Sequence, residues 1–239
     1  MLTTNVGYSD IVPPHASRRI PALANLAWDH ATGRIYLVST TEQPQESNET
    51  DIVLFTSDNN GATWSAPKRV NDDPPPTLDG MGNPIPAEVR TQFFPHVSVD
   101  PTTGQVIVAW HDPRSDNGGS DGTPNTETEL FVGITTDGGS NFSNAALSEG
   151  VSRATSLANH GDYLGASFRG GIAHVSWADN SNSVGDNPDA SLPGACGAVP
   201  CMDAYTARAV PEPRSVAQVV AGALALFGLA GRRSGKRAI

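Results

Sequence analysis

The sequence Ser57-Asp58-Asn59-Asn60-Gly61-Ala62-Thr63-Trp64 returns in altered form as Thr135-Thr136-Asp137-Gly138-Gly139-Ser140-Asn141-Phe142. Both copies approximate the pattern Ser/Thr-x-Asp-x-Gly-x-Thr-Trp, with Asn59 in the Asp position of the first copy and Phe142 in the Trp position of the second. Each copy follows a short apolar run, at residues 52–55 and 130–134. A motif that recurs in the same setting predicts a repeat architecture.

The segments before the two motifs also match each other. Residues 26–38 and 97–110 each contain the turn sequence Asp-x-x-Thr-Gly between two apolar, β-branched runs, which predicts strand, tight turn and strand. Residues 163–177 form a looser third copy, and residues 202–209 predict a last strand equivalent to 128–135. The chain is therefore predicted to be all-β, with about three antiparallel units of roughly 70 residues.

The two octapeptides resemble Asp boxes, the bacterial neuraminidase repeat (BNR) of sialidase-like β-propellers, and the resemblance covers about residues 18–209. It implies that residues 1–209 form about three blades of a propeller that is six-bladed in the family. Asp boxes of this family lie on the outer rim, away from the central site. Their residues are therefore predicted to be structural: Ser57, Asn59, Gly61, Trp64, Thr135, Asp137, Gly139 and Phe142.

The composition and net charge limit the kinds of molecule that the chain is expected to bind. The chain has 24 Gly and 19 Pro, as expected for a turn-rich β domain, and its net charge is −10. Nucleic acid is not expected as a partner, because phosphate binding needs a basic surface.

The C-terminal residues 210–239 are predicted to be a separate segment. They contain the motif Pro211-Glu212-Pro213 within residues 210–213, an apolar span at 215–231 and a basic tail at 232–237. This order resembles the PEP-CTERM sorting signal. The resemblance implies a short apolar helix, transient membrane anchoring, cleavage by a sorting protease of the inner membrane, and export to the envelope, outer surface or extracellular matrix of a Gram-negative-type bacterium. A plain C-terminal anchor is the alternative.

The N-terminal residues 1–10 are polar and have no secretory signal. Three blades are also fewer than a closed sialidase-like propeller contains. We therefore expect the chain to be the C-terminal part of a longer protein or the product of a late-started gene model. Assembly of two or more copies into a ring is the alternative.

Arg19-Ile20-Pro21 resembles the Arg-Ile-Pro motif of sialidases, whose Arg belongs to a triad that binds the substrate carboxylate. Guanidinium suits this task because its planar fork binds a carboxylate through two hydrogen bonds. Arg90, Arg114 and Arg169 are candidates to complete the binding set. Ordinary salt bridges at a blade edge explain each of them equally well.

Sialidases use an Asp acid/base about a dozen residues before the first Asp box, and a Tyr nucleophile activated by a Glu. Glu46 and Asp51 are the candidates for the acid/base, with Glu49 nearby, and Tyr163 is the candidate nucleophile. Tyr205 alternates within a strand and is predicted to lie in the core. The function implied is binding of a glycan or cell-surface polysaccharide, or its hydrolysis in the manner of an exo-α-sialidase. A non-catalytic scaffold or adhesion module is the alternative.

Two further patterns concern metals and cysteines. Asp112, Asp116 and Asp121 lie in a Gly-containing loop whose oxygen atoms are candidate Ca²⁺ ligands, although a solvated acidic loop explains them too. No other metal or cofactor is predicted. Cys196 and Cys201 are predicted to form a local disulfide in an oxidising compartment, with two free thiols as the alternative.

Overall fold

The computed structural model describes residues 12–15, 19–20, 23–42, 49–83, 85, 88–118, 122–187, 191, 196 and 199–211. The chain divides into two units at Ala209 and Val210. The second unit, which carries the predicted sorting segment and apolar helix, lies outside the described residues apart from Val210 and Pro211. The described part includes a short 3₁₀ turn, Pro13–His15, and contains no helix long and apolar enough to cross a membrane.

The described residues form three antiparallel sheets, which confirms the predicted all-β class. Sheet 1 has the strand order β1-β2-β3-β4, sheet 2 the order β5-β6-β7-β8, and sheet 3 the order β11-β10-β9. The strands are β1 Asn25–Trp28, β2 Ile35–Glu42, β3 Thr50–Ser57, β4 Lys68–Arg69, β5 Phe93–Val99, β6 Val106–Asp112, β7 Glu129–Thr135, β8 Ser143–Ala146, β9 Gly165–Arg169, β10 Ile172–Asp179 and β11 Asp203–Ala209.

The first hairpin of each four-stranded sheet closes through the same local chemistry. In sheet 1 the carboxylate of Asp29 accepts hydrogen bonds from the Ala31 backbone N–H at 2.9 Å and the Thr32 hydroxyl at 2.6 Å. In sheet 2 Asp100 accepts from both the N–H and the hydroxyl of Thr102, at 2.8 and 2.6 Å. The glycine that ends each turn has a positive φ, which other residues adopt only with strain.

The sheets pack against one another in chain order. One apolar core joins sheet 1 to sheet 2 and includes Leu54, Val108 and Trp110. A second core joins sheet 2 to sheet 3 and includes Ile107, Ala109, Phe168 and Val175. Alternate residues of β6 thus face opposite neighbours, and every residue of that strand is buried. β5, the first strand of sheet 2, contacts both β1 and β9, the first strands of the other two sheets.

The second octapeptide takes part in this packing. Arg34 Nη1 donates to the carbonyl oxygen of Gly138 at 3.4 Å, and Arg34 also pairs with Asp58. The backbone of Gly139 lies so close to sheet 1 that a Cβ atom there would be 2.5 Å from Leu54 Cδ2. The box therefore joins sheet 2 to sheet 1 as well as closing its own hairpin.

Candidate functional site

The two ends of each sheet differ in the turns and connections that lie there. Because neighbouring strands are antiparallel, the β1–β2, β5–β6 and β9–β10 turns share one end with the two octapeptides. We call this the turn end. The β2–β3, β6–β7 and β10–β11 connections and the crossings between sheets lie at the opposite end, here called the loop end.

The first octapeptide is a hydrogen-bonded turn. The Ser57 hydroxyl accepts from the Gly61 backbone N–H at 2.9 Å, and Asn59 Oδ1 accepts from the Thr63 N–H at 2.9 Å. The Trp64 ring lies beside Gly61, since a Cβ atom on that glycine would be 3.7 Å from the indole. Asn59 thus supplies the acceptor that the Asp of the pattern would supply.

The second octapeptide repeats this arrangement. The Thr135 hydroxyl accepts from the Gly139 N–H at 3.1 Å and donates to Asp137 Oδ1 at 2.7 Å, which also accepts the Asn141 N–H at 3.0 Å. Asn141 Nδ2 donates to Asp137 Oδ2 at 2.9 Å, and this bond, together with the others, holds the pKa of Asp137 well below its usual range. Phe142 packs against the core between sheets 1 and 2. Both boxes lie at the turn end and serve the fold there.

Arg114 lies at the loop end and is surrounded by carboxylates. Its nitrogens donate to Asp112 at 2.8 and 2.9 Å, to Asp72 at 2.5 Å and to Asp73 at 3.3 Å. The guanidinium carbon lies 4.4 Å from the centre of the Phe131 ring. All three nitrogens of the fork that would bind a substrate carboxylate are therefore engaged within the protein.

Asp51, a candidate acid/base, belongs to a neighbouring buried network. It accepts from Arg69 Nε at 2.5 Å and from Asn71 Nδ2 at 2.8 Å. Asn71 and Arg69 also reach Asp73, at 2.7 and 3.2 Å. With 2% of its surface exposed, Asp51 has its carboxylate directed at these protein donors. The arrangement stabilises the junction of β3 and β4, because buried carboxylates need such partners.

Glu49 is the loop-end carboxylate with the most altered acidity. It is 1% exposed and accepts the Arg90 backbone N–H at 2.7 Å. Burial, reinforced by the negative charges of Asp73 and Asp51, raises the pKa of Glu49 to about 7. The guanidinium of Arg90 donates to the backbone carbonyls of Pro74 and Glu88, at 3.3 and 3.2 Å. The hydrogen bonds of Glu49 and Arg90 thus stabilise the segment that connects sheet 1 to sheet 2.

Two of the candidate residues are exposed at the loop end. Arg19 is exposed, while the adjacent Ile20 is fully buried against Phe93 at the start of β5. Tyr163 is 82% exposed and lies two residues before β9. Arg169 is exposed too, but it ends β9 at the turn end, and Glu46 lies outside the described residues. The structure therefore places Arg19 and Tyr163 at the same end as Arg90 and Arg114, and Arg169 at the other.

A cluster of buried histidines lies beneath the loop end and was not predicted from the sequence. The rings of His111 and His160 have centroids 4.5 Å apart, and His15 lies 6.0 Å from His160. His111 also stacks on Phe93 at 5.1 Å. Burial lowers the pKa of His160 to about 3 and holds that of His111 well below its ordinary value. Only the fold brings these residues together, because their sequence contexts share no spacing or motif.

The candidate Ca²⁺ carboxylates have protein partners. Asp112 accepts from the Trp110 indole at 2.8 Å, and Asp179 accepts from the Trp177 indole at 2.8 Å in sheet 3. Asp116 instead accepts backbone N–H groups of its own loop, including that of Gly118 at 2.8 Å. Asp121 lies outside the described residues, within which no three metal-binding side chains converge.

Cys196 and Cys201 are joined by a disulfide, with their Cα atoms 5.1 Å apart. The carbonyl oxygen of Cys201 accepts from Asn187 Nδ2 at 2.8 Å. The disulfide therefore stabilises the β10–β11 connection close to the start of β11.

Several solved glycan-active enzymes are similar to the chain in fold. A Hadza microbial sialidase has 16% identity and a TM-score of 0.42, with 67% of this chain matched to 32% of that one. The GH93 α-L-arabinofuranosidase of Fusarium graminearum has 15% identity and a TM-score of 0.42, over 68% of this chain and 42% of that one. The xylan β-1,4-xylosidase of Bacillus halodurans has 13% identity and a TM-score of 0.41, over 78% and 27%. The chain thus spans less than half the length of each structure.

No protein-family model matches the chain, and no curated protein matches it.

Proposed function

We propose that the three sheets are consecutive blades of a sialidase-like β-propeller whose loop end binds glycan. The sheets follow one another in chain order, and β5 contacts the first strands of both neighbours, which is how blades fan out from a central axis. The two Asp boxes close equivalent hairpins at the turn end. The loop end is then the face on which the sialidase resemblance puts the ligand.

The observation that carries the proposal is the position of Arg19. It is exposed at the loop end and belongs to the segment that resembles the Arg-Ile-Pro motif. Ile20 holds this segment in place by packing against Phe93 and Phe94. Arg114 and Asp51 take part in ion pairs of the fold. The ligand class is therefore an acidic glycan, whose carboxylate Arg19 binds.

The burial of four loop-end carboxylates favours glycan binding without turnover. Glu49, Asp51, Asp73 and Asp112 are each 4% exposed or less, and each accepts hydrogen bonds from protein donors. A general acid must come within hydrogen-bond reach of the substrate. This favours the scaffold or adhesion module over the hydrolase. Hydrolysis would instead require a carboxyl group within reach of a substrate, such as exposed Asp72, or Glu46, which lies outside the described residues.

The test compares Arg19→Ala with a matched control, Arg208→Ala. Arg208 is exposed near the far end of β11, next to the turn end. Binding of 3′-sialyllactose and of lactose to the full chain is measured by calorimetry, and turnover with a fluorogenic sialoside. We expect sialyllactose to bind more tightly than lactose, and this preference to disappear in Arg19→Ala but not in Arg208→Ala. Equal binding by both variants would remove Arg19 from the site, and turnover by the wild type would favour the hydrolase.

We further propose that the protein is exported and sorted to the cell surface through residues 210–239. The support is the order of Pro-Glu-Pro motif, apolar span and basic tail in the sequence. The intact mass of the protein purified from its native envelope tests this. A mature chain that ends near Pro211-Glu212-Pro213 is expected. A chain that retains residues 214–239 in the membrane fraction would instead be a plain C-terminal anchor.

A further inference from the structure

The buried histidine cluster lies against the part of the chain that carries Arg19. Residues 12–15 and 19–20, here called the N-terminal segment, include the 3₁₀ turn in which His15 lies, four residues before Arg19. The His15 ring lies beside that of His160, with centroids 6.0 Å apart, and at the same distance from the ring of Phe94. The position of Arg19 therefore depends on packing that includes His160.

Side-chain packing holds the N-terminal segment in place, since its residues belong to none of the strands. Val12 and Ile20 are buried against Phe93 and Phe94 at the start of β5. Within the turn, the backbone N–H of His15 donates to the Val12 carbonyl at 2.9 Å. A turn of this length is not stable by itself. The segment can therefore detach while the strands of the three sheets stay paired.

The backbone on which the segment packs is strained. Phe94 has a φ of +54°, which an aromatic residue rarely adopts, and it lies in the irregular part of the β5–β6 pairing between Phe93 and His96. Such conformations persist where the surrounding packing holds them. Loss of the contacts with Ile20 and His15 would let this part of β5 relax, which favours the detached state.

The surroundings of His160 disfavour a proton on its ring. The residue is 1% exposed, and burial together with the charge of His15 lowers its pKa to about 3. Among the described residues, no carboxylate charge acts on this ring. The groups that face it are His15 of the 3₁₀ turn, His111 of β6, Phe93 of β5, Thr128 directly before β7, and the backbone of Ala178 in β10.

Detachment of the segment admits water to His160 and so restores its ordinary pKa of about 6.5. Because its pKa is lowered in the attached state, His160 favours attachment fully above pH 6.5 and progressively less as the pH falls towards 3. Between pH 7.5 and pH 5, proton binding by the detached state shifts the equilibrium towards that state about 30-fold.

We propose that protonation of His160 detaches the N-terminal segment and displaces Arg19, so that the protein releases its acidic glycan as the pH falls from 7.5 to 5. His160 is thus a positioning residue, which acts on the glycan through His15 and the segment. The glycan carboxylate stays ionised in this range, since α-carboxyl groups titrate near pH about 3.5, and the change therefore arises in the protein. The inference rests on the proposed glycan-binding function and adds its regulation.

The test measures amide exchange of His15 in the ¹⁵N-labelled full chain at pH 7.5 and pH 5, corrected for the intrinsic rates. The amide of Val175, buried in β10, reports global unfolding. His160→Gln removes the titrating ring, and His160→Leu replaces it should the glutamine variant not fold. His174→Gln is the matched control, because His174 is exposed on β10. Urea unfolding at pH 7.5 verifies that each variant is folded.

We expect the protection of the His15 amide to fall about 30-fold between pH 7.5 and pH 5, in the wild type and in His174→Gln alike. In the His160 variant the fall should be smaller by that factor. His15 should also be less protected than Val175 at both pH values, because the segment detaches without global unfolding. An equal fall in the His160 variant, or equal protection of His15 and Val175, would overturn the proposal.

A second measurement links detachment to the glycan site. Saturating 3′-sialyllactose at pH 5 should restore the protection of His15 in the wild type but not in Arg19→Ala, because the glycan binds the attached segment alone. Binding that leaves the protection unchanged would contradict the proposed regulation. Absence of glycan binding at pH 7.5 would instead refute the proposed function, while exchange without glycan still tests the detachment, so the two proposals fail independently.

Discussion

Replacement of Gly139 by Ala should test how sheets 1 and 2 are held together. Gly139 has a φ of +96°, and an added Cβ atom would lie 2.5 Å from Leu54 Cδ2. Leu54 is 1% exposed and belongs to the core between the two sheets. The substitution therefore combines backbone strain with overpacking, of about 1 kcal/mol and about 1–3 kcal/mol respectively. We expect a loss of about 2–4 kcal/mol in the free energy of unfolding.

Gly104→Ala separates the two contributions. Gly104 ends the β5–β6 turn with a φ of +71°, and a Cβ atom there would meet nothing within 4 Å. Gly104→Ala should therefore lower the free energy of unfolding only through backbone strain, by about 1 kcal/mol. Urea unfolding at constant pH gives both losses from the shift in midpoint, provided that the slope is unchanged.

A double substitution then identifies Leu54 as the partner. Leu54→Ala alone should cost about 2–5 kcal/mol, since it leaves a cavity in the core. In that background Gly139→Ala should cost about 1 kcal/mol, because the methyl group has room. Equal losses in Gly139→Ala and Gly104→Ala, or the same loss with and without Leu54, would refute the proposed packing of the box against sheet 1.

Three further predictions concern stability. The pKa of His160 is about 3 in the folded state and about 6.5 in the unfolded state. The free energy of unfolding should therefore fall below pH 6.5, by about 3 kcal/mol at pH 4.5, and the lowered pKa of His111 should add to this loss. Urea unfolding of the wild type and of His160→Gln at several pH values measures the loss. Glu49 has a pKa of about 7 in the folded state and near 4.5 in the unfolded state. As the pH rises from 4.5 through 7, the free energy of unfolding of the wild type should therefore fall by about 3 kcal/mol relative to that of Glu49→Gln. A difference that stays constant over this pH range would contradict the prediction. Reduction of Cys196–Cys201 should lower the free energy of unfolding by about 2 kcal/mol, as its short loop implies, and an unchanged urea midpoint in dithiothreitol would show that the bridge contributes nothing.

Local turn chemistry made most of the fold predictable. The Asp-x-x-Thr-Gly turns and the octapeptides are specified by residues next to one another, and the apolar runs beside them became strands β1–β3, β5–β7 and β9–β11. The outer strands β4 and β8 were not predicted. Lys68–Arg69 and Ser143–Ala146 contain no apolar alternation, and they pair only because β3 and β7 offer them an edge.

The loop end was less predictable, because its contacts join distant parts of the chain. Arg19 was a candidate because its segment resembles the Arg-Ile-Pro motif, and Tyr163 because a tyrosine nucleophile was expected. Their exposure is seen only in the structure. The pairing of Asp51 with Arg69, and that of Arg114 with Asp72, depend on where the crossings between sheets run. The burial that raises the pKa of Glu49 likewise arises from tertiary packing, which no local pattern in the sequence records.

Hydrogen–deuterium exchange of the full chain with and without 3′-sialyllactose tests the central claim most directly. The account predicts slower exchange at the loop end, in the peptides that contain Arg19, Arg90 and Tyr163. Exchange in the two Asp boxes at the turn end, residues 57–64 and 135–142, should be unchanged. Protection at the boxes with none at the loop end would contradict the assignment of the glycan site.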